Sequence, residues 1–462
     1  MPSGPEHLVT QPAYSTEFTR ARSLLLAHPG RWRVIYHYDG DGIASASSAV
    51  RMLRRLGYGV QTTPLLGVER ARVEALLDAT QGPVLVVDTG ASWLDRFARH
   101  PSPVILLDHH KYPGAPSPPA LPDHVAFVNP LDWGVDGMSE LCAATLTWLF
   151  SIFIDPANWD NAPWGLSGAI SDRQHVGGFK GLNAKLLEEA RARGLVEPFS
   201  GLPLFGASLS EALARSVDPF LRGLSGRPVE ADRFLHALAI DPRRPIDSLD
   251  ATERSRLGSA ILARLVQQGT RPEFVEALHA PRYRIPQLSV DAEELANLQN
   301  ATGRDGTPSE GIALALGDPR AHARARAAEE AWRTGVLTGL RRIEEAGVNS
   351  LSALQWFESP EGPLAGTQAG LAMNYLLDPS RPVVVFTPAD EVWKVSGRGT
   401  LWLVGRGLDL STAFRESADA VGGEGGGHRV ASGATIPRAA RDRFLEELNQ
   451  RLLGQLPAAG AK

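Results

Sequence analysis

Acidic and histidine residues cluster at four places in the chain, and three of these clusters directly follow a short apolar run. The clusters are His37-Tyr38-Asp39-Gly40-Asp41-Gly42, Asp88-Thr89-Gly90, Asp108-His109-His110 and Gly168-Ala169-Ile170-Ser171-Asp172-Arg173. Carboxylates that converge repel one another unless cations neutralise them. Oxygen and imidazole ligands without thiolates are typical of manganese or magnesium. Together the clusters predict a site for two divalent cations, which activate a water and hold a phosphate.

Each cluster alone also has an ordinary explanation. An aspartate at the end of a strand is more often a turn former or a helix cap than a metal ligand. The sequence Asp39-Gly40-Asp41-Gly42 is compatible with a simple glycine turn, and a His-His pair by itself is usually a surface or core feature. The joint pattern favours the metal site, because the clusters recur in order at the same end of successive predicted strands.

The first 180 residues must position these side chains, and their pattern predicts alternating strands and helices. The apolar runs at 33–38, 83–87, 103–107 and 125–128 are short and bounded by glycine or proline, which is typical of buried parallel strands. Helical segments are expected between them, at about 43–56, 68–79 and 91–99. This order predicts an α/β fold with a doubly wound parallel sheet, which binds its ligands at the carboxyl ends of its strands.

The rest of the chain predicts two further regions. From about 180 to 345, leucine and alanine recur at helical spacing. A smaller α/β unit is expected after that, with helices at 366–376, 411–420 and 438–454, strands at 382–386, 391–396 and 400–404, and a glycine-rich turn. We therefore expect domains at 1–180, 181–345 and 346–462, with the substrate in a cleft between the two α/β domains.

Composition excludes several classes of protein. With 43% hydrophobic and 21% charged residues, the chain can build an ordinary globular core. Cys142 is the only cysteine, so an intrachain disulfide and a cysteine-based zinc site are excluded. No signal peptide and no membrane span are evident, so a cytoplasmic protein is expected. The net charge of −5 argues against a protein that coats long nucleic acid by electrostatics alone.

The four clusters resemble the four motifs of the DHH phosphoesterase superfamily. A second match lies far downstream, where the run Gly422-Gly423-Glu424-Gly425-Gly426-Gly427-His428 resembles the GGGH signature of the DHH-associated C-terminal domain. The family includes RecJ exonucleases, oligoribonucleases, cyclic-dinucleotide phosphodiesterases and manganese pyrophosphatases. Long inorganic pyrophosphatases lack the GGGH signature, so the resemblance implies nucleotide phosphodiester substrates and two divalent cations, Mn²⁺ or Mg²⁺.

The resemblance also implies a role for each residue of the catalytic clusters. Asp88 is expected to bridge both ions, Asp108 to support a ligand, and His110 to contact the scissile phosphate or assist the leaving group. His37 is open, because a strand-end histidine that only supports the loop is an equal alternative. The metal ligands implied by the resemblance, with His37 included, are Asp39, Asp41, Asp88, His109, Asp172 and His37.

The same resemblance predicts substrate-binding residues. Successive glycines permit a backbone nest for a phosphate, although a bare glycine run is often only a flexible loop. Trp393 and Trp402 are expected to be core or half-buried residues of the sheet, with base stacking as the alternative. The residues predicted to contact substrate are Gly425, Gly426, Gly427, His428, Arg398 and Arg173.

The helical middle region is similar to that of archaeal RecJ-like nucleases, a group that includes the nuclease associated with the GINS replication complex. This resemblance implies an exonuclease that hydrolyses single-stranded DNA or RNA to mononucleotides, with GINS-type replication proteins as partners. Two alternatives stay open. One is a phosphodiesterase for very short oligonucleotides or cyclic dinucleotides, and the other is a non-catalytic replisome scaffold.

Overall fold

The protein is described from a computed structural model, which covers residues 8, 12–65, 70–360 and 362–456. Within these ranges the chain forms two compact units. Unit 1 comprises residues 1–201 and 280–331, and unit 2 comprises residues 202–279 and 332–462. The region 181–345, predicted as a helical middle or linker region, contributes residues to both units.

Strands and helices alternate over the first 180 residues, as the sequence predicts. The described strands are β1 Arg31–His37, β2 Gly59–Leu65, β3 Val84–Val87, β4 Val104–Leu107, β5 Val125–Val128, β6 Glu197–Phe199, β7 Arg282–Ile285, β8 Val290–Asp291, β9 Asn349–Ser350, β10 Gln355–Glu358, β11 Val383–Ala389, β12 Val392–Arg398, β13 Glu424–Gly427 and β14 Ala431–Pro437. The described α-helices are α1 Pro12–Ala27, α2 Gly40–Arg55, α3 Arg70–Asp78, α4 Leu94–Phe97, α5 Ala143–Ile154, α6 Ala162–Ser171, α7 Gly181–Ala192, α8 Leu209–Ala214, α9 Pro228–Ala237, α10 Ala251–Gln267, α11 Pro272–Glu276, α12 Ala292–Arg304, α13 Pro308–Ala315, α14 Ala321–Ala346, α15 Ala365–Tyr375, α16 Leu401–Gly405, α17 Leu410–Asp419 and α18 Arg441–Gln455. None of the helices in these ranges has the length and apolar character that a bilayer crossing needs.

The main sheet of unit 1 is parallel, with strand order β2-β1-β3-β4-β5. Its central strands are buried on both faces. In β1, Val34 and Tyr36 join one apolar cluster while Ile35 joins another on the opposite face. This two-sided burial confirms the predicted doubly wound sheet. The order also places a topological switch point between β1 and β3, where ligands of such sheets bind.

The second part of unit 1 packs against the helices that follow β1. Leu295 and Ile312 of α12 and α13 belong to the same core cluster as Ile43 and Val50 of α2. Gly303 of α12 has no room for a side chain, because a Cβ there would lie 1.8 Å from the carbonyl oxygen of Tyr38. Helix α12 therefore touches the backbone just before Asp39, although it lies far away in sequence.

The sheet of unit 2 is mixed, with order β13-β14-β12-β11-β10-β9. Only the β10–β11 pairing is parallel among the described strands of this sheet. Phe386, Phe414 and Phe444 form the centre of its core, with edge-to-face ring contacts. Two expectations were wrong here. Residues 401–405 form helix α16 in place of a strand, and the glycine-rich turn is the edge strand β13.

Candidate metal centre

The site lies at the switch point of the parallel sheet. Asp39 follows β1 and Asp88 follows β3, and these two strands are neighbours. Asp108 follows β4, the next strand along. The parallel direction of all three strands brings their carboxyl ends to one edge of the sheet, as the sequence predicts.

Two aspartates are held at helix N-termini. Asp39 caps α2, and its Oδ1 accepts a hydrogen bond from the backbone N–H of Gly42 at 3.1 Å. Asp41 lies in the first turn of the same helix but points to α5. Its carboxylate accepts from the N–H groups of Ala143 at 3.0 Å and Ala144 at 2.8 Å. The first turn of α5 therefore fixes and partly compensates a buried negative charge.

Asp88 lies at the centre of the site, buried and with a left-handed backbone at φ 58°. Such a conformation is uncommon for any residue other than glycine and carries strain, which aspartate and asparagine tolerate best. Its Oδ1 lies 3.3 Å from Nε2 of His109, and its Oδ2 lies 3.6 Å from Nδ1 of His37. Oδ2 is buried and accepts no hydrogen bond from the described residues.

The Asp108-His109-His110 segment contains one supporting residue, Asp108, and two histidines that face the site. Asp108 is fully buried, and its carboxylate accepts from the N–H of Ala91 at 2.8 Å and the N–H of His109 at 2.8 Å. Nδ1 of His110 lies 2.8 Å from Oδ1 of Asp108. Asp108 thus shapes the loop and orients the imidazole of His110.

His109 is oriented by a backbone carbonyl. Its Nδ1 donates to the carbonyl oxygen of Gly137 at 2.7 Å, which directs Nε2 towards Asp88 and, at 3.7 Å, towards Oδ2 of Asp41. This arrangement, with one ring nitrogen held by a carbonyl and the other facing carboxylates, is common for histidines that bind metals.

Asp172 reaches the site from the end of α6, with Oδ2 at 3.9 Å from Nδ1 of His109. Gln174, which was not predicted, connects Asp172 to the neighbouring segment by hydrogen bonds. Its Nε2 donates to Oδ2 of Asp172 at 3.1 Å and to the Gly137 carbonyl at 2.8 Å, while its Oε1 accepts from Asn183 at 2.6 Å. The only sequence signal for Gln174 is its position two residues after a predicted ligand.

The potential ligand atoms form three overlapping groups, each with its atoms within 4.8 Å of one another. The groups are Asp88-His109-His110, His37-Asp39-Asp88 and Asp41-His109-Asp172. Asp88 and His109 each belong to two groups, so they connect the other members. This overlap is what a site for two neighbouring cations requires, and the donor set fits manganese or magnesium.

Electrostatics favour cations at the same place. Burial raises the pKa of Asp41 well above its ordinary value, and the nearby charges of Asp88 and Asp172 raise it further. Burial also raises the pKa of Asp172. Burial opposes protonation of His109, but the surrounding carboxylates, Asp88 first, raise its pKa well above the usual range. The cluster holds excess negative charge, which divalent cations would neutralise.

An arginine that was not predicted lies beside the site. The guanidinium of Arg304, at the end of α12, stacks 5.4 Å above the ring of Tyr38, and its NH1 lies 3.2 Å from the Tyr38 hydroxyl. The pKa of Asp39 is lowered despite its burial, by His37 first and also by the charge of Arg304. Arg173, which was predicted to reach substrate, is exposed next to Asp172 and has a left-handed backbone at φ 60°.

The residues predicted to bind substrate in unit 2 lie at one end of its sheet. Arg398 ends β12 opposite Ala431 of β14, and Ala431 in turn exchanges two backbone hydrogen bonds with His428. The structure therefore places Arg398, at the end of β12, and His428, in the turn between β13 and β14, at the same end of the sheet. Gly425 to Gly427 lie in the edge strand β13, and Gly426 and Gly427 have positive φ angles of 157° and 139°. The packing explains one of these glycines, because a Cβ at Gly425 would lie 2.6 Å from the carbonyl oxygen of Phe414.

Comparisons with known proteins also assign the acidic cluster and the glycine-rich strand to two different domains. The profile of the "DHH family, N-terminal domain" matches residues 31–161, and that of the "DHHA1 domain" matches residues 365–454. The chain belongs to the DHH superfamily. The first match contains His37, Asp39, Asp41, Asp88 and His109, and the second contains Arg398 and the glycine-rich strand.

Relatives of this DHH protein cover its whole length. An uncharacterised protein of Methanocaldococcus jannaschii is 27% identical over 442 residues, which is 94% of this chain and 95% of that protein. Among solved structures, an exonuclease RecJ bound to manganese has a TM-score of 0.59 at 18% identity and covers 96% of this chain and 95% of its own. CDC45 from Entamoeba histolytica has a TM-score of 0.65 at 10% identity, with 97% and 99% covered. These similarities show a RecJ-like fold.

Substitution of Asp88 by asparagine should separate metal binding from folding. Asparagine tolerates the left-handed backbone, but it removes the shared carboxylate. Thermal unfolding of the wild type should shift upward when Mn²⁺ is added, by the equivalent of about 2.7 kcal/mol at a hundredfold excess over the Kd. Asp88→Asn should show no such shift. In a chelator near neutral pH it should be at least as stable as the wild type, because one repelling charge is gone.

The contrary result is equally clear. If Asp88→Asn gained as much stability from Mn²⁺ as the wild type, Asp88 would not be a shared ligand. The matched control is Asp95→Asn, at an exposed aspartate of α4 that should change neither the metal-induced shift nor the stability in chelator by more than about 0.5 kcal/mol.

Proposed function

We propose that this DHH protein is a two-metal phosphodiesterase that digests single-stranded DNA or RNA from an end and releases mononucleotides. The observation that carries the proposal is the overlap of three ligand groups through Asp88 and His109. The solved RecJ structures support it, because RecJ proteins with this fold are described as bound to Mn²⁺ or Mg²⁺. A cytoplasmic location fits the single buried Cys142.

Each side chain has a role that follows from its contacts. Asp88 and His109 are the shared ligands, Asp41 and Asp172 complete one side, and Asp39 with His37 completes the other. Two divalent cations held there would supply an activated water and neutralise charge on the scissile phosphate. Catalysis would then belong to residues 1–180 and substrate binding to residues 346–462, while the middle region 181–345 contributes to both units.

His110 is placed to act on the substrate. Its side chain is 37% exposed, more than that of any other histidine or aspartate in the three groups. Asp108 holds Nδ1 of this ring, and Asp108 also raises its pKa, although burial acts in the opposite direction. The remaining nitrogen, Nε2, is then able to contact the phosphate or to protonate the leaving oxygen.

Phosphate groups away from the metal centre would be bound by arginine and histidine. Arg398 ends β12 and His428 lies in the turn between β13 and β14 of unit 2, and the glycines of β13 keep that edge free of side chains. Arg173 and Arg304 would contribute positive charge beside the metal centre itself. Guanidinium groups suit this task because they stay charged and bind phosphate oxygens in pairs.

A scaffold role is the second candidate, and the similarity to CDC45 is its support. A scaffold needs no converging carboxylates, however, and a buried acidic cluster without cations destabilises the fold. The intact ligand set therefore favours catalysis. Docking on replication proteins of the GINS type is compatible with either role.

End-labelled single strands test the proposed activity. DNA and RNA oligomers of several lengths, each labelled at the 5′ or the 3′ end, would be incubated with Mn²⁺ and either the wild type or Asp88→Asn. The wild type should shorten long strands progressively, and the label should reveal the polarity. Asp88→Asn should lose at least about a hundredfold in rate, since it removes the ligand shared by both cations.

Other outcomes lead to the alternatives. Cleavage of dinucleotides alone would replace the exonuclease with an enzyme for very short substrates. Equal activity of the wild type and Asp88→Asn would point to a contaminating nuclease. No activity on any strand, with normal folding and bound Mn²⁺, would favour the scaffold.

Replacement of His428 by alanine tests the substrate-binding role of unit 2. A lost hydrogen bond to a charged phosphate costs about 1.5–3 kcal/mol, so KM for long strands should rise roughly tenfold or more while kcat changes little. The matched control is His322→Ala, an exposed histidine on α14 that should leave both constants unchanged. A fall in kcat with constant KM would contradict a phosphate-anchoring role for His428.

A further inference from the structure

The short helix α16 exposes two large apolar side chains next to each other. Leu401 is 69% exposed and Trp402 is 54% exposed, while Leu403 is buried in the core of unit 2. No other tryptophan, phenylalanine or tyrosine of the described residues is classed as exposed. The expectation that Trp393 and Trp402 are core or half-buried sheet residues therefore holds for Trp393 and is wrong for Trp402, which is exposed on a helix.

The helix that carries Trp402 is firmly attached to the neighbouring hairpin turn. Thr400 caps α16 by accepting from the N–H of Leu403 at 3.0 Å. The N–H of Gly399 donates to the carbonyl of Val430 at 2.8 Å, and the N–H of Leu410 donates to the carbonyl of Arg429 at 3.0 Å. Hydrogen bonds on both sides of α16 thus hold it against the turn that joins β13 to β14.

Two arginines accompany the exposed indole. The guanidinium of Arg406 lies 4.7 Å from the centre of a Trp402 ring, and NH2 of Arg429 lies 3.5 Å from the carbonyl oxygen of Val404. Neither arginine forms an ion pair with a carboxylate of the described residues. We call Trp402, Arg406 and Arg429 the Trp402 surface.

We infer that the Trp402 surface binds one nucleotide of a single-stranded substrate, with its base stacked on the indole and its phosphate beside Arg406 and Arg429. This inference rests on the proposed function and names a contact for it. The combination of an exposed aromatic ring with unneutralised guanidinium groups is how sequence-independent sites hold single strands. A protein partner would have to bring carboxylates for both arginines, whereas a nucleic acid carries a phosphate on every nucleotide.

Continuity with the expected phosphate-binding residues supports this assignment. Arg398 precedes α16 by three residues in the chain, and His428 precedes Arg429. A strand bound by Arg398 and His428 would therefore meet the Trp402 surface within unit 2 itself. Stacking on Trp402 would then add affinity for strands that extend beyond the nucleotide held by those two residues.

Binding without turnover tests the inference. The Kd of a fluorescently labelled single strand would be measured by anisotropy at fixed salt, with Asp88→Asn present in every protein to prevent cleavage. Trp402→Ala should weaken binding about tenfold, while Trp402→Phe, which keeps an aromatic face, should lose much less. Leu401→Ala is the matched control, since it removes an even more exposed apolar side chain of the same helix. It should bind within about twofold of the parent.

Strands with single abasic positions make the test specific for stacking. One abasic position should weaken binding to the parent protein but not to Trp402→Ala, because the base and the indole then contribute together. If Trp402→Ala bound all strands as the parent does, the surface would not bind bases, and a protein partner would become its occupant. Equal losses from Trp402→Ala on intact and abasic strands would also overturn the stacking role.

The two proposals can fail separately. If the wild type digests long strands but Trp402→Ala binds them normally, only the Trp402 surface is refuted. If the wild type neither binds nor cleaves any single strand, both the proposed nuclease function and the proposed role of the Trp402 surface are refuted.

Discussion

Repulsion between buried carboxylates at one edge of a parallel sheet is the constraint on which the metal centre depends. Asp41, Asp88 and Asp172 lie close enough that burial and their mutual charges raise the pKa of Asp41 well above its ordinary value. Hydrogen bonds from two N–H groups of α5 to Asp41 offset part of the free energy that burying these charges costs. The remainder is what divalent cations would neutralise, so the same arrangement that strains the metal-free protein makes the site selective for them.

The elements around the site follow from that constraint. The switch point between β1 and β3 brings Asp39 and Asp88 together, and a left-handed backbone turns Asp88 towards both ligand groups. Supporting groups then fix the ligands without binding metal themselves. Asp108 accepts hydrogen bonds from N–H groups of its own loop. Gln174 donates hydrogen bonds both to Asp172 and to the Gly137 carbonyl that orients His109. Such contacts determine how well ligands are oriented before a metal binds.

Three of the four clusters could be placed from the sequence, because each follows an apolar strand and parallel strands end at the same edge of the sheet. The fourth, with Asp172, comes from the end of helix α6. The sequence was not sufficient for contacts between distant segments. Arg304 carries no local signal, and Gln174 carries only its position two residues after Asp172. Strand β2 was missed because Gly59–Leu65 is polar, contains a proline and lies at the sheet edge. The run Leu401–Gly405 is too short for periodicity to distinguish strand from helix, and the Thr400 cap decides it. Exposure of Trp402 follows from this helix and could not be predicted from a strand.

The most direct test of the central claim is to count the manganese ions that the protein binds. Titration of the metal-free protein with Mn²⁺, followed by electron paramagnetic resonance, reports both the number of ions and whether they are magnetically coupled. The account predicts two ions per chain with a coupled signal, as expected for ions about 3.5–4 Å apart. It also predicts that the coupled signal is lost in Asp88→Asn. A single uncoupled ion in the wild type, or an unchanged coupled pair in the variant, would contradict a two-metal centre built around Asp88.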